Sequence, residues 1–475
     1  MLKRDAPQEL INVLGELEAT ADECSRSLRL LNYPSDRALW ALLARTVDYV
    51  EHHRKRLPPS ARPSEAMLAN LSRATAIALR WTGQHAQTEY SGMKVWDAQL
   101  AEAVDQAIGV GNNYSHFELC FQGFHKNLYA AQIVAPGRVR FRGDSTPRYR
   151  QVRAFQQNAS LRPPSVGVTQ PLAQVDTQGV RRLLEATLQG CQRVSALQFD
   201  YGDAGELWRE MFPRNHERVS GLTRRDGALT LGPFSLDEFC AVYAALVTVV
   251  SAHDILCFRW GQSSGTYPLE SAVMVRTRSA WIDALSSLSG IASEKCADVL
   301  SDLTFDNRRS SDLHVHPIVQ IDATNGLLAV APPFILQANH EENIFRVCSQ
   351  RRQRVFDIIS RRKEAEMLAT LRPSVGRYAS QESLGLPNEN PDIDLIIADD
   401  TSSTVVLAEL KWIRKPLRVL EIPDRDGDVM KGIDQLRLIR TFLRANPDHL
   451  REQRRLNRRL SDYEHVHYLL VARDH

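Results

Sequence analysis

Two apolar segments joined by five turn-forming residues constrain the fold of this chain more than any other feature. Residues 392–398 (DIDLIIA) alternate apolar and polar side chains, and residues 404–411 (TVVLAELK) are rich in β-formers, as half-buried strands are. The sequence between them, DDTSS, is typical of a tight turn. Glu409 and Lys411 are two positions apart on the second strand and project from the same face. A β-hairpin with a carboxylate and an amine on one face is therefore predicted.

Pairing residue 394 opposite residues 408 to 410 would bring Asp394 close to Glu409 across this hairpin. Two neighbouring carboxylates repel each other and need a divalent cation, and oxygen ligands favour Mg²⁺. Such a metal polarises a phosphate and lowers the pKa of bound water, and an adjacent lysine orients that water or offsets developing charge. The backbone carbonyl of Leu410 is a candidate further ligand. The residues thus indicate a metal site suited to phosphodiester hydrolysis.

The run Pro391–Asp392–Ile393–Asp394, followed fifteen residues later by Glu409–Leu410–Lys411, resembles the signature of the PD-(D/E)xK nuclease superfamily. The resemblance implies a restriction-endonuclease-like core with the order α-β-β-β-α-β. The corresponding predicted elements are a helix over 354–371, strands over 375–379, 392–398 and 404–411, a helix over 429–445 and a strand over 465–472.

The resemblance also implies roles for individual residues. Asp394 and Glu409 would hold Mg²⁺, for which Mn²⁺ can substitute, and Asp392 would be a further metal ligand or a group behind the ligands. Lys411 would assist the attacking water. These four residues form the predicted centre of the site.

Two helical residues are predicted to support that centre. Many family members carry a glutamate on the first helix, and Glu364 has Leu368 at i+4 on an inward stripe, whereas Glu366 is expected to face solvent. On the second helix, Gln435 resembles the glutamine that some members place near the phosphate. Position 439 is Ile where the recombination-type branch has Tyr, which leaves the subfamily open.

The rest of the chain predicts a multidomain α+β protein, since 475 residues exceed one ordinary core. A helical N-terminal region over 1–135 is followed by a Pro-rich irregular connection over 136–175. A mainly helical middle region over 176–345 includes a short β-pair at 314–321 and 326–331. The nuclease-like domain occupies 346–475. No catalytic pattern is recognised before residue 330.

Composition and charge exclude several classes of protein. The seven cysteines are scattered and form no CxxC pair, which argues against a zinc ribbon or a disulfide framework. No uninterrupted apolar run is long enough to span a membrane, and no signal peptide is evident, so a cytoplasmic protein is expected. Residues 346–475 carry 24 Lys and Arg against 20 Asp and Glu, an excess compatible with a nucleic-acid partner.

The expected function is Mg²⁺-dependent, endonucleolytic cleavage of DNA in restriction, repair or defence against foreign DNA such as that of phage. The alternatives are a catalytically silent nuclease-like domain that binds nucleic acid or assembles with partners, and a nuclease directed at RNA. The N-terminal region is a candidate for contacts with a second copy of the chain or with another protein. DNA is favoured over RNA as the partner.

Several patterns also have plainer interpretations. Glu409 and Lys411 could form an incidental ion pair on the exposed face of an amphipathic hairpin. The His314-x-His316 and His465-x-His467 pairs are expected to be ordinary strand histidines. The basic runs at 351–354, 361–363 and 451–459 suit either a solvated helix face or a phosphate backbone.

Overall fold

The computed structural model describes most of the chain, and every structural statement below concerns that part. The described residues are 6–56, 65–86, 91–92, 95–143, 152–153, 178–220, 229–306, 312–336, 338, 340–375, 379–383, 392–413, 419–453 and 455–474. The chain divides into two compact units, one of residues 1–147 and 153–355 and the other of residues 148–152 and 356–475. The whole is a mixed α+β protein in which helices predominate, as predicted.

The first unit is built mainly of helices. They are α1 Gln8–Glu23, α2 Ser35–Arg56, α3 Glu65–His85, α4 Ala98–His125, α5 Gln178–Gln189, α6 Gly205–Ser220, α7 Leu236–Ser264, α8 Arg278–Ser289, α9 Ser293–Leu303, α10 Pro332–Leu336 and α11 His340–Arg351. Short 3₁₀ turns occur at Cys24–Ser27, Arg29–Asn32 and Leu269–Ser271.

Helix α7 forms the centre of this unit. Ser235 and Glu238 close its N-terminus with reciprocal hydrogen bonds, and Gly265 ends it in the left-handed region with φ 74°. It is 29 residues long, and its most apolar stretch has a mean hydropathy of 1.8, enough by length and composition to cross a membrane. That stretch is wholly buried inside the protein, so α7 also has the properties of a core helix.

The predicted helix at this position ends at Ser251, thirteen residues too early. Polar residues after Ser251 interrupt the apolar pattern, but they are satisfied inside the core. His253 Nδ1, for example, lies 3.1 Å from the Tyr201 hydroxyl, and its Nε2 lies 2.8 Å from the carbonyl of Ser271. Because their hydrogen bonds are made internally, these polar residues do not end the helix.

Three small antiparallel sheets complete the first unit. The strands are β1 Ala130–Ala135, β2 Arg138–Arg142, β3 Gln192–Arg193, β4 Phe199–Asp200, β5 Met274–Thr277, β6 Ile318–Asp322 and β7 Leu327–Val330. β1 pairs with β2, β3 pairs with β4, and β7 lies between β5 and β6.

Three predictions for this unit need correction. The irregular connection predicted over 136–175 contains strand β2, and most of the remainder lies outside the described residues. His314 and His316 lie in a turn before β6 and not on a strand. The stretch from 334 to 371, predicted as one or two helices, falls into α10, α11 and a third helix, α12.

The second unit consists of a four-stranded sheet with two long helices. Its elements are α12 Gln353–Val375, which begins three residues before the unit, β8 Ala379–Ser383, β9 Asp392–Asp399, β10 Thr404–Ile413, α13 Ile422–Ala445, α14 His449–Glu452 and β11 His465–Asp474. The 3₁₀ turns Val419–Glu421 and Leu460–Asp462 lie between them. The strand order is β11-β10-β9-β8, with β10 and β11 parallel and the other pairs antiparallel.

The element order of this unit follows the prediction, but some boundaries differ. The strand predicted over 375–379 is displaced, because Val375 ends helix α12 and β8 begins at Ala379. Helix α13 begins at Ile422, seven residues before the predicted start. The acidic residues of its first turns resemble a loop by composition, yet Pro423 stands in the first turn, where its missing N–H costs nothing.

Candidate active site

The β9–β10 hairpin, named the acidic hairpin here, positions the predicted carboxylates. Its register pairs Thr404 with Asp399 and continues to Ala408 opposite Leu395. One step further along, the same register sets Glu409 opposite Asp394. The pairing thus confirms the predicted hairpin and the predicted neighbours across it.

Glu409 and Lys411 form an ion pair inside the protein. Lys411 Nζ lies 2.7 Å from Glu409 Oε1, and Glu409 is only 3% exposed. Its other oxygen, Oε2, is buried and has no hydrogen-bond partner among the described residues. The plainer interpretation of an exposed ion pair is therefore wrong for Glu409. Burying an unpaired carboxylate oxygen costs free energy, which a bound cation would recover.

Asp394 is oriented by the main chain of the neighbouring strand. Its Oδ2 accepts a hydrogen bond of 2.7 Å from the backbone N–H of Leu410. The carboxylate thus takes the place that a backbone carbonyl occupies elsewhere in the ladder, just beyond the last regular pair of the two strands. The N–H of Leu410, and not only its predicted carbonyl, therefore belongs to the site.

Glu364 of helix α12 contacts the end of the same strand. Its Oε1 accepts a hydrogen bond of 3.1 Å from the backbone N–H of Trp412. The Trp412 ring is buried and packs at 5.9 Å from the ring of Phe356, also on α12. Helix α12 is thus attached to β10 by one polar and one aromatic contact, and the indole serves as core.

Burial and mutual repulsion alter the acidity of these carboxyls. Burial raises the pKa of Glu409 to about 7, the hydrogen bond from Lys411 opposes this, and the charges of Asp394 and Glu364 add to it. Burial likewise raises the pKa of Glu364, against the opposing effect of the Trp412 N–H and the Lys411 charge. These mutual effects show that the acids lie close enough to interact.

Lys411 responds in the opposite sense. Burial lowers its pKa, but the hydrogen bond to Glu409 and the charges of Glu409, Glu364 and Asp394 raise it more, so that the net change is upward. The ammonium is therefore charged at neutral pH and is the counter-ion of the three carboxylates.

Helix α13 approaches the site through Gly432. A Cβ placed on Gly432 would lie 2.6 Å from Leu470 Cδ1 and 3.5 Å from Lys411 Cγ. The absence of a side chain here allows the helix to lie directly against β10 and β11. Sequence reasoning did not single out this residue, although a glycine within a helical pattern is a signal of close packing.

The two helices flank the sheet. Lys411 and Trp412 are adjacent in β10 and point to opposite faces. Gly432 of α13 lies near Lys411, and Phe356 of α12 packs on Trp412. The charged pair therefore lies on the α13 face, whose apolar core includes Leu407, Leu436 and Ile439.

The structure brings together Asp394, Glu409, Lys411 and Glu364, but does not treat every predicted residue alike. Gln435 is half-buried on α13, one turn after Gly432, and makes no side-chain hydrogen bond with the described residues. The side chain of Asp392 lies outside the described residues. No group of three or more His, Cys, Asp or Glu side chains close enough to hold a metal ion occurs among the side chains that are described.

The donor set nonetheless suits a hard cation. Asp394 and Glu409 supply carboxylate oxygens, one of them buried and unpartnered, and oxygen donors are those that Mg²⁺ prefers. Lys411 adds a positive charge within contact of Glu409. Such an arrangement can hold a cation and stabilise negative charge that develops on a bound ligand.

The remaining predicted histidines lie elsewhere. His316 is buried between the carbonyl of Asp302 and the side-chain oxygen of Gln350, at 2.8 Å and 2.7 Å, and has a structural role. His465 and His467 lie on the same face of β11, with ring centroids 6.4 Å apart. Comparisons with protein-family models, curated proteins and solved structures found no match for the chain.

Proposed function

We propose that the second unit is a metal-dependent nuclease that hydrolyses phosphodiester bonds of DNA. The observation that carries the proposal is the buried group of Glu409, Lys411, Asp394 and Glu364, in which Glu409 keeps an unpartnered oxygen. Perturbed carboxyl groups gathered around one lysine are typical of sites that act on charged substrates.

The proposed cofactor is Mg²⁺, with Mn²⁺ as a substitute. Asp394 and Glu409 would hold it, with Asp392 as a further candidate ligand, and the ion would polarise the scissile phosphate and acidify a bound water. Lys411 would orient the attacking water and offset the negative charge that builds up on the phosphate. Glu364 would hold the end of β10 in place through the N–H of Trp412.

The architecture supports the same proposal. The order α12, β8, β9, β10, α13, β11 agrees with the α-β-β-β-α-β core of the restriction-endonuclease-like fold. The carboxylates lie on the second and third of these strands, as in the PD-(D/E)xK pattern. We therefore propose that fold for residues 346–475, and Gln435 of α13 as a residue that faces the substrate phosphate.

The biological setting that fits such a nuclease is restriction, repair or defence against foreign DNA, including phage DNA, in the cytoplasm. The charge of residues 346–475, with 24 Lys and Arg against 20 Asp and Glu, suits a polyanionic substrate. Fusion to a large helical unit is the arrangement expected of an endonuclease whose target is selected by a second part of the chain. That inference rests on analogy between folds.

The test is cleavage of supercoiled plasmid, linear single-stranded DNA and RNA by the full chain with Mg²⁺ or Mn²⁺. Wild type is compared with Glu409→Gln and Lys411→Met. Metal-dependent nicking that falls at least about 100-fold in both variants would support the proposal, since removing one transition-state contact typically costs this much. Preferential cutting of RNA would redirect the proposal to that substrate.

A matched control guards against contamination and misfolding. Glu464→Gln removes one carboxylate from the same unit at an exposed position and should cut like the wild type. Cutting that persists in Glu409→Gln and Lys411→Met would place the active centre elsewhere. Absence of cutting in all proteins, with DNA binding retained, would instead favour a catalytically silent binding domain.

A further inference from the structure

An arginine-rich β-ribbon lies in the first unit, remote in sequence from the acidic hairpin. Strand β2 reads RVRFR, so Arg138, Arg140 and Arg142 alternate with Val139 and Phe141. The sequence from 138 to 153 contains six arginines and a single acid, Asp144. The β1–β2 pair with its three strand arginines is called the arginine ribbon below.

One face of the ribbon is fixed to the core. Val139 and Phe141 pack with Ile133 of β1 against a cluster that includes Leu10 and Phe124. The turn between the strands is tight, because Pro136 fixes its own φ and Gly137 adopts φ 66°. The ribbon is therefore held as a platform whose other face carries the arginines.

The arginine face is regular and exposed. All three arginines are exposed, and Arg140 pairs in register with the exposed Gln132. Alternate residues of a strand are roughly 6.6 Å apart, so the guanidinium groups form an evenly spaced row of charge. Among the described residues, no carboxylate forms an ion pair or hydrogen bond with any of these three side chains.

Other arginines in the chain behave differently. In the basic runs noted from the sequence, Arg352 pairs with Asp302 at 2.7 Å, Arg458 with Asp400 at 3.2 Å and Arg459 with Asp448 at 3.0 Å. Arg45 in the first unit is likewise bound to Asp105. These groups are largely committed to internal acids, whereas the arginine ribbon presents its charge to solvent.

We propose that the arginine ribbon is a binding surface for the phosphate backbone of duplex DNA. Exposed, evenly spaced guanidinium groups suit a row of phosphates, and arginine binds phosphate oxygens with paired N–H donors. The exposed face has no aromatic side chain, since Phe141 packs inward, so it lacks the stacking platform of single-strand binders. It also lacks the broad apolar face of a membrane-surface segment, because Val134 is its one large exposed hydrophobic residue.

Contact with phosphates alone makes a quantitative prediction about salt. Each neutralised phosphate contributes about 0.9 to the slope of log K against log salt, so three contacts contribute about 2.7. Binding should also be insensitive to base sequence, because phosphate contacts carry no base information. The choice of DNA as the polyanion rests on the proposed nuclease function, whereas the presence of the basic surface does not.

The experiment measures binding of the full chain to a labelled duplex in EDTA over a range of salt concentrations. The test variant combines Arg138→Gln, Arg140→Gln and Arg142→Gln. The matched control combines Arg26→Gln, Arg29→Gln and Arg209→Gln, which removes the same charge from exposed positions on other elements. A third variant replaces the ribbon arginines with lysine.

The ribbon glutamine variant should bind at least about 10-fold more weakly near 0.1 M salt, with a slope smaller by about 2 to 3. The control should change neither quantity appreciably, and the lysine variant should keep most of the slope. Equal weakening by ribbon and control variants, or no effect of the ribbon variant, would overturn the proposal. Ribbon-dependent binding to phosphatidylserine vesicles without binding to duplex would also overturn it and assign the surface to a membrane.

Because binding is measured in EDTA, failure of this proposal is separable from failure of the nuclease proposal. Ribbon-dependent DNA binding without any metal-dependent cutting would retain the ribbon and reject the nuclease. Cutting with binding that is indifferent to the ribbon would do the reverse. Unchanged circular dichroism and thermal midpoints establish that each variant is folded.

Discussion

Lys411 Nζ and Glu409 Oε1 lie 2.7 Å apart, and the carboxylate of this pair is almost completely enclosed. Two strand residues that share a face therefore form a buried ion pair, next to two more carboxylates, Asp394 and Glu364. A buried pair of this kind contributes little net stability, while the loss of one partner is costly. The first two predictions follow from that asymmetry.

The stability of the protein should depend on pH through Glu409. Its folded pKa of about 7 exceeds the reference value of 4.5, so between these values the folded chain keeps a proton that the unfolded chain has released. The contribution is therefore present at low pH and is lost as the pH rises through about 7. Its upper limit is about 3 kcal/mol.

Glu409→Gln should remove this contribution. Urea unfolding in EDTA, measured from pH 4.5 to 8, should show a smaller decline in the free energy of unfolding for Glu409→Gln than for the wild type. The exposed-site variant Glu464→Gln serves as control and should retain the wild-type decline. Parallel profiles for wild type and Glu409→Gln would show that Glu409 does not titrate in this range.

Lys411→Met should destabilise the protein by about 3 kcal/mol at pH 8, because three carboxylates lose their common counter-ion. The loss should be smaller at pH 5, where Glu409 is protonated, and smaller again in the double variant with Glu409→Gln. Lys431→Met removes an exposed lysine paired with Asp428 and should cost less than about 1 kcal/mol. Equal effects at the two lysines in urea unfolding would contradict the buried position of Lys411.

Glu364 should act on the strand end through its hydrogen bond more than through its charge. Glu364→Gln keeps an oxygen that can accept from the Trp412 N–H, and should cost less than half as much stability as Glu364→Ala. For the alanine variant the expected loss is about 1 to 2 kcal/mol. Thermal unfolding followed by Trp fluorescence measures both. A glutamine variant as unstable as the alanine variant would show that the charge matters more.

Two glycines of helix α13 should respond oppositely to alanine. Gly427→Ala meets no atom within 4 Å and should stabilise the protein by about 0.5 to 1 kcal/mol through helix propensity. Gly432→Ala meets Leu470 at 2.6 Å, and the resulting overpacking should outweigh the same gain, for a net loss of about 1 kcal/mol. Adding Leu470→Ala should remove that clash and reduce the interaction between the two sites. Identical effects at both glycines would mean that α13 does not approach the sheet closely there.

The strands of the acidic hairpin were predictable because their pattern is local. Alternation sets β9 and β10 to within two residues, and the two-residue spacing alone puts Glu409 and Lys411 on one face. The stripe of α12 also placed Glu364 toward the interior, where its carboxylate meets the Trp412 N–H. In each case neighbours in sequence decide the outcome.

The rest depends on contacts between distant segments. The hydrogen bond from the Leu410 N–H to Asp394 requires the regular pairing of β9 and β10 to stop at Ala408 and Leu395, which no composition rule specifies. The displaced start of β8 follows from the extension of α12 to Val375. The ribbon strand Arg138–Arg142 was missed because its arginines look like a polar connection, although its alternation is that of a strand.

Asp394 is joined to the sheet by the N–H of Leu410, at 2.7 Å. A ligand that draws this carboxylate toward itself must weaken the protection of one backbone amide, and a ligand that leaves it in place must not. Hydrogen exchange at Leu410 would then report occupancy of the site in the absence of any substrate or turnover. By thermodynamic reciprocity, a change that loosens the end of β10 must alter ligand affinity by the same factor, so that the site can be adjusted from within the sheet.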